Sequence, residues 1–300
     1  MRVETITSAQ NPKFKHLLLL QEKSKARREQ GLFVVEGKRE LEHCLAAGFT
    51  LRTLFVCPEI ADGLTEEGVV SQISGHPRPD KREGPAGEAS GRGRSEAEAI
   101  CDTIPSAVNP LVIEIPEQLY RKAAYRESTE GILAEVEYKT LGLNDLHLPE
   151  NPLIMVLESV EKPGNLGAVL RSADAAKADA VLICDPLTDL YNPNLIRASI
   201  GAVFTVPTVA VSSEQAIAFL QARGIQILTA QLQDSSLYYD VDMRRGTALV
   251  MGTESTGLTP LWRKAATAHI RIPMLGQLDS LNVSVSAAIL LFEAVRQRQG

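Results

Sequence analysis

The order of apolar and polar positions divides the chain into two patterned stretches. From Ile6 to about Cys57 it predicts a small α/β unit: a helix around Leu17 to Leu20, a strand at Leu32-Phe33-Val34-Val35, a helix through Leu41 to Ala47 and a strand at Leu54-Phe55-Val56-Cys57. Gly31, Gly37 and Gly48 stand where turns or helix ends fall. Pattern resumes with Leu111-Val112-Ile113-Glu114-Ile115, a helix near Leu119 to Tyr125 and a strand at Ile132-Leu133-Ala134-Glu135-Val136. Between about residues 75 and 98 the chain is Gly, Pro, Arg, Glu and Ser with almost no large apolar residue. Such a segment buries too little surface to offset its chain entropy, so a disordered insertion is predicted there.

A polar stretch at residues 141–150, followed by Pro152, suggests a linker between a first domain at 1–140 and a second at 151–300. Beyond it, short apolar runs alternate with helical patterns: Leu153-Ile154-Met155-Val156-Leu157, Ala180-Val181-Leu182-Ile183, Ile225-Gln226-Ile227-Leu228 and Ala248-Leu249-Val250-Met251. Continuously apolar strands separated by helices predict a parallel sheet covered on both faces, so the second domain is expected to be α/β.

Composition adds boundaries to this picture. A chain of 300 residues accommodates two cores. No run approaches the roughly 20 apolar residues of a membrane helix, and Met1-Arg2-Val3-Glu4 does not open a signal peptide, so a cytoplasmic protein with no membrane partner is expected. The four cysteines, Cys44, Cys57, Cys101 and Cys184, show no metal-ligand spacing, which points to buried thiols and no metal site. A net charge of −6 means that a nucleic acid would have to be held by a local patch. Lys13, Lys15, Lys23, Lys25, Arg27 and Arg28 form one basic run, which reads as a phosphate-binding surface or as a solvated helix face.

In open α/β sheets ligands bind beyond the carboxyl ends of the strands, and three segments there stand out. The first strand runs into Glu158-Ser159-Val160-Glu161-Lys162-Pro163-Gly164-Asn165-Leu166-Gly167. A helix follows with Leu166, Val169, Leu170 and Ala173 on one face. Asn165 is placed at its N-cap, and Arg171 falls off the apolar stripe. The second segment, Gly252-Thr253-Glu254-Ser255-Thr256-Gly257-Leu258-Thr259-Pro260, has Leu258 where a phosphate loop needs lysine. Nor does Gly164-Asn165-Leu166-Gly167 satisfy the dinucleotide fingerprint. The third segment, Ile270 to Ser286, is a Ser/Asn-rich entry to an apolar helix that continues through Phe292 and Val295, and it offers hydroxyls and amides to a ligand.

In this order the three segments resemble the motifs of the SpoU (TrmH-type) family of RNA ribose 2′-O-methyltransferases, a SPOUT family. The likeness covers about the last half of the chain. Ile6-Thr7-Ser8-Ala9-Gln10-Asn11-Pro12-Lys13 and Phe33-Val34-Val35-Glu36-Gly37-Lys38-Arg39 look like the substrate-binding domain often fused ahead of it.

The resemblance implies a catalytic α/β domain with a trefoil knot, a smaller N-terminal α/β substrate-binding domain, a homodimer, and S-adenosyl-L-methionine as cofactor. It implies that Asn165, Arg171 and Glu254 serve catalysis and that Gly252, Ile272, Ser280, Leu281 and Asn282 surround the cofactor. Arginine holds its proton, so a clamp on the phosphate beside the reacting ribose suits Arg171 better than a base. None of His16, His43, His76, His147 and His269 falls inside the motifs. RNA contacts are expected from Lys13, Lys15, Arg27 and Arg28, with rRNA preferred over tRNA. An inactive RNA-binding protein of the same fold and a base methyltransferase are the alternatives.

Overall fold

The computed structural model describes residues 2–61, 110–125, 130–253 and 256–299. The insertion expected at residues 75–98 lies outside them. The chain forms two compact units, Met1–Tyr138 and Lys139–Gly300.

The first unit contains β1 (Arg2–Thr5), α1 (Pro12–Glu22), α2 (Ser24–Gln30), β2 (Leu32–Glu36), α3 (Lys38–Ala46), β3 (Leu51–Val56), α4 (Pro58–Ala61), β4 (Leu111–Glu114), α5 (Glu117–Ala123) and β5 (Ile132–Glu137). Its five-stranded sheet has the order β1-β4-β3-β5-β2. β1, β4 and β3 are parallel, and β5 runs antiparallel to β3 and β2. Asn11 starts α1 by accepting from the Lys13 amide at 2.9 Å, ahead of Pro12 at the first helical position. The face carrying Phe14, Leu17 and Leu20 is buried against Val34, Phe55, Ile113 and Tyr120.

The basic run is not one surface. Arg27 is 1% exposed, and its Nη1 donates to the carbonyls of Leu20 at 2.7 Å and Gln21 at 3.0 Å. These are among the last carbonyls of α1, which have no partner within the helix, and the guanidinium satisfies them. The RNA contact expected of Arg27 is therefore corrected: its charge is used inside the unit. Lys15 and Arg28 are exposed, and Lys13, also exposed, pairs with Glu4.

The second unit contains β6 (Leu153–Glu158), α6 (Pro163–Ala175), β7 (Ala180–Cys184), α7 (Pro193–Ser199), α8 (Ala202–Thr205), β8 (Thr208–Val211), α9 (Ser213–Ala222), β9 (Gln226–Ala230), β10 (Ser236–Leu237), β11 (Thr247–Met251), α10 (Pro260–Ala265), β12 (Ala268–Arg271) and α11 (Val283–Gln299). Its seven strands, in the order β10-β12-β9-β11-β6-β7-β8, all pair in parallel. β6, β7 and β11 are buried at every position, as continuously apolar runs predict. β8 and β12 escaped the sequence reading because their exposure varies along the strand.

The stretch expected as a linker belongs to this unit. Leu146 is buried in its core, and Leu141, Leu143 and Leu148 pack against that core. Against α6, α7 packs closely enough that a Cβ on Gly167 would lie 2.5 Å from the Ala198 Cβ. Arg298 holds the end of α11 by donating to the carbonyls of Met243, Asn151, Pro152 and Arg245 at 2.8 to 3.1 Å.

Candidate functional site

The three segments meet at the carboxyl ends of β6, β11 and β12. Leaving β6, the backbone turns at Ser159 with φ +52°, and Pro163 opens α6. Proline at the first helical position sets the start, so Lys162 is the N-cap and Asn165 lies within the first turn, a correction to the expected cap. The Asn165 Oδ1 instead accepts from the Asn282 Nδ2 at 3.2 Å. Asn282 in turn starts α11, its Oδ1 accepting from the Ser284 amide at 2.9 Å.

The second segment folds back on itself. A Cβ on Gly252 would lie 2.3 Å from the Gly257 carbonyl carbon, so only glycine permits this approach. Thr253 and Gly257 form an antiparallel bridge, and the Thr253 and Thr256 hydroxyls hydrogen-bond at 2.7 Å. Thr259 anchors the far end, its amide and hydroxyl donating to the two carboxylate oxygens of buried Glu158 at 2.9 and 2.6 Å. Glu254 and Ser255 lie outside the described residues.

Two cavities flank the end of β11. One, of about 150 Å³, is walled by Met251, Ile270, Ile272, Leu281 and Leu290, with Gln231, Asp279 and Ser280 as polar members. The other, of about 320 Å³, is lined by Ser159, Lys162, Asn165, Gly252, Thr253 and Val283. Met251 and Gly252 are sequence neighbours on different cavities, and Asn282 stands between Leu281 of the first and Val283 of the second.

The structure therefore distributes the expected residues. Ile272, Ser280 and Leu281 line the first cavity, Asn165 and Gly252 line the second, and Asn282 bonds across to Asn165. Arg171 lines neither: it is exposed on α6 and has no hydrogen-bond partner among the described residues.

Glu158, Thr259 and Gln231 were missed by the sequence reading. Gln231 follows the last residue of β9, at the carboxyl end where ligands are sought, but the strand predicted at Ile225 to Leu228 stopped too early to draw attention to it.

Burial pushes the thiols of Cys44 and Cys184 far up and that of Cys57 to about 11, so these three are not thiolate nucleophiles at neutral pH. Among the described residues no cluster of His, Cys, Asp and Glu could hold a metal ion, and no helix is long and apolar enough to cross a membrane.

The model of the SpoU rRNA Methylase family matches residues 152–292, and that of the MRM3-like substrate binding domain matches residues 11–80. The 23S rRNA (guanosine-2′-O-)-methyltransferase RlmB of Bordetella pertussis is 37% identical over 198 residues, covering 64% of this chain and 79% of that protein. RlmB of Vibrio vulnificus is 37% identical over 192 residues, covering 61% and 78%. Among solved structures, an RNA 2′-O ribose methyltransferase superposes with a TM-score of 0.75 at 35% identity, covering 99% of this chain and 100% of that one. An AdoMet-bound rRNA methyltransferase from Sinorhizobium meliloti superposes with a TM-score of 0.78 at 28% identity, covering 98% of each chain.

Proposed function

This chain belongs to the SpoU rRNA methylase family, and on that footing we propose that it is an S-adenosyl-L-methionine-dependent methyltransferase acting on a ribose 2′-hydroxyl of rRNA. The observation that carries this reading is the convergence of the three motif segments on two adjoining cavities, tied by the Asn282 to Asn165 hydrogen bond.

The first cavity suits an adenosyl group. Met251, Ile272, Leu281 and Leu290 supply apolar walls, and Gly252, next in sequence to Met251, lines the adjoining cavity. When bound, the cofactor supplies a methyl group on a sulfonium leaving group. The work left to the chain is to align the ribose hydroxyl and help it lose its proton. Arg171, exposed and unpaired among the described residues, clamps the phosphate next to that ribose and polarises the hydroxyl. Asn165, held by Asn282, orders the second cavity, and Glu254, in the segment after β11, is assigned to holding Arg171 or the ribose.

Lys13, Lys15 and Arg28 of the first unit contact RNA phosphates. A second copy of the chain packs on the exposed apolar face of α11, at Val285 and Phe292, and the knot implied by the family lies in the second unit. We place the protein in the cytoplasm, with the rRNA it modifies.

The test is methyl transfer from labelled S-adenosyl-L-methionine to total rRNA and tRNA lacking the modification, for wild type and Arg171→Ala, with the product mapped. A ribose methylation in rRNA that drops at least about 100-fold in Arg171→Ala, with RNA and cofactor binding intact, is expected. Transfer to a base, or no transfer and no cofactor binding, overturns the reading.

A further inference from the structure

We infer that the Ser159 hydroxyl hydrogen-bonds the ribose of the substrate RNA in the second cavity. The inference rests on the function proposed above and adds a substrate contact to those of Asn165, Arg171 and Glu254.

Ser159 holds φ +52°, a left-handed conformation in which a Cβ crowds the following carbonyl. Lys177, Asp185, Ile200 and Asp234 also have positive φ, but of these five only Ser159 lines either cavity. The conformation is imposed from both sides. The Ser159 amide donates to the Cys184 carbonyl at 2.9 Å, and Glu158 before it is paired with Cys184 in the sheet and fixed by Thr259. Glycine would occupy this turn without crowding, so the side chain is carried there against the local backbone preference. Strain of this kind collects where a chain meets its ligands.

The residue is half-buried in the wall of the second cavity. Its hydroxyl makes no hydrogen bond among the described residues and is not buried, so it is open to a ligand. The rest of the wall selects that ligand. Lys162, Asn165, Thr253 and Thr256 add an ammonium, an amide and two hydroxyls, and the carboxylate of Glu161 balances the charge. A balanced wall of hydroxyls and amide suits a sugar edge rather than a free anion, and a serine hydroxyl donates or accepts as the sugar requires. The apolar cavity assigned to the adenosyl group does not include Ser159, so the cofactor is not its partner.

The experiment compares wild type, Ser159→Gly and Ser159→Ala as full chains. It reads the thermal midpoint, the calorimetric affinity for S-adenosylhomocysteine and single-turnover methyl transfer to unmodified rRNA at subsaturating RNA. Ser159→Gly relieves the strain and removes the hydroxyl. Its midpoint should rise by about 1 to 3 °C while transfer efficiency falls about 5- to 10-fold, the range of one hydrogen bond. Ser159→Ala keeps the crowded Cβ, so efficiency should fall equally with the midpoint near wild type. Both variants should bind S-adenosylhomocysteine as wild type does, which a general loosening of the site would not allow. Wild-type efficiency in both variants overturns the inference, as does a loss of S-adenosylhomocysteine affinity in step with the loss of transfer. In either case transfer by the wild type leaves the proposed function standing; no transfer by the wild type removes that function and this inference together.

Discussion

Asn282 donates its side-chain amide to the Asn165 Oδ1 at 3.2 Å, across a sequence separation of 117. The same side chain accepts from the Ser284 amide and so begins α11. The two tasks are separable. Asn282→Ser keeps a capping oxygen and is too short to reach Asn165, so stability should stay within about 0.5 kcal/mol while methyl transfer slows about tenfold. Asn282→Ala should slow transfer equally and lose about 1 kcal/mol more. Denaturant titration beside single-turnover kinetics separates them; a Ser variant with wild-type turnover would show that the link does not order the site.

Glu158 at the end of β6 holds the loop after β11 through Thr259. Thr259→Val removes the hydroxyl half of that contact and leaves a buried carboxylate oxygen without it, at a cost of about 1.5–3 kcal/mol. Cofactor affinity should fall with it, because Gly252 is carried on the same loop. Thr259→Ser should restore both, and calorimetry on the two variants checks this.

Arg27 and its neighbours should respond oppositely. Arg27→Ala exposes the unmet carbonyls of Leu20 and Gln21 and should destabilise the first unit by about 1–3 kcal/mol without altering the salt dependence of RNA binding. Lys15→Glu with Arg28→Glu should leave stability near wild type and reduce the slope of log affinity against log salt by about 1 to 2. An unchanged slope would make that surface a solvated face.

The His16 Nδ1 lies 2.9 Å from the Glu135 Oε1 and its Nε2 lies against the Gln30 Oε1, so both ring nitrogens face acceptors and the doubly protonated ring satisfies both. Burial works against the charged ring, but the hydrogen bonds to Gln30 and Glu135 and the Glu135 charge outweigh it and raise the pKa. A pKa raised by folding stabilises the protein fully below the unfolded value of about 6.5, and that contribution is lost as pH rises through the folded value. The stability gap between wild type and His16→Ala should therefore be larger at pH 5.5 than at pH 8.5. Equal gaps in urea titrations at the two pH values would refute it.

Val285 and Phe292 lie seven residues, about two helical turns, apart and are 47% and 48% exposed on α11. If a second copy covers them, Phe292→Arg should shift the chain to a monomer in sedimentation velocity with its circular dichroism unchanged. A wild-type chain that sediments as a monomer would exclude this contact.

Runs such as Leu153 to Leu157 and Ala248 to Met251 are apolar at every position, and only a strand covered on both faces needs that pattern, so the parallel sheet was legible without coordinates. The same holds for the motif residues, whose order along the chain carried the family. Other features depend on neighbours remote in sequence, and no local signal reports them. Arg27 reads as one more basic residue in a charged run until α1 ends above it with open carbonyls. The bond between Asn165 and Asn282 exists only because β6 and α11 place two polar helix starts side by side. Periodicity is set by what each face of an element must bury, which the sequence alone determines. Partnership between side chains is set by which ends of those elements the tertiary structure brings within hydrogen-bond reach.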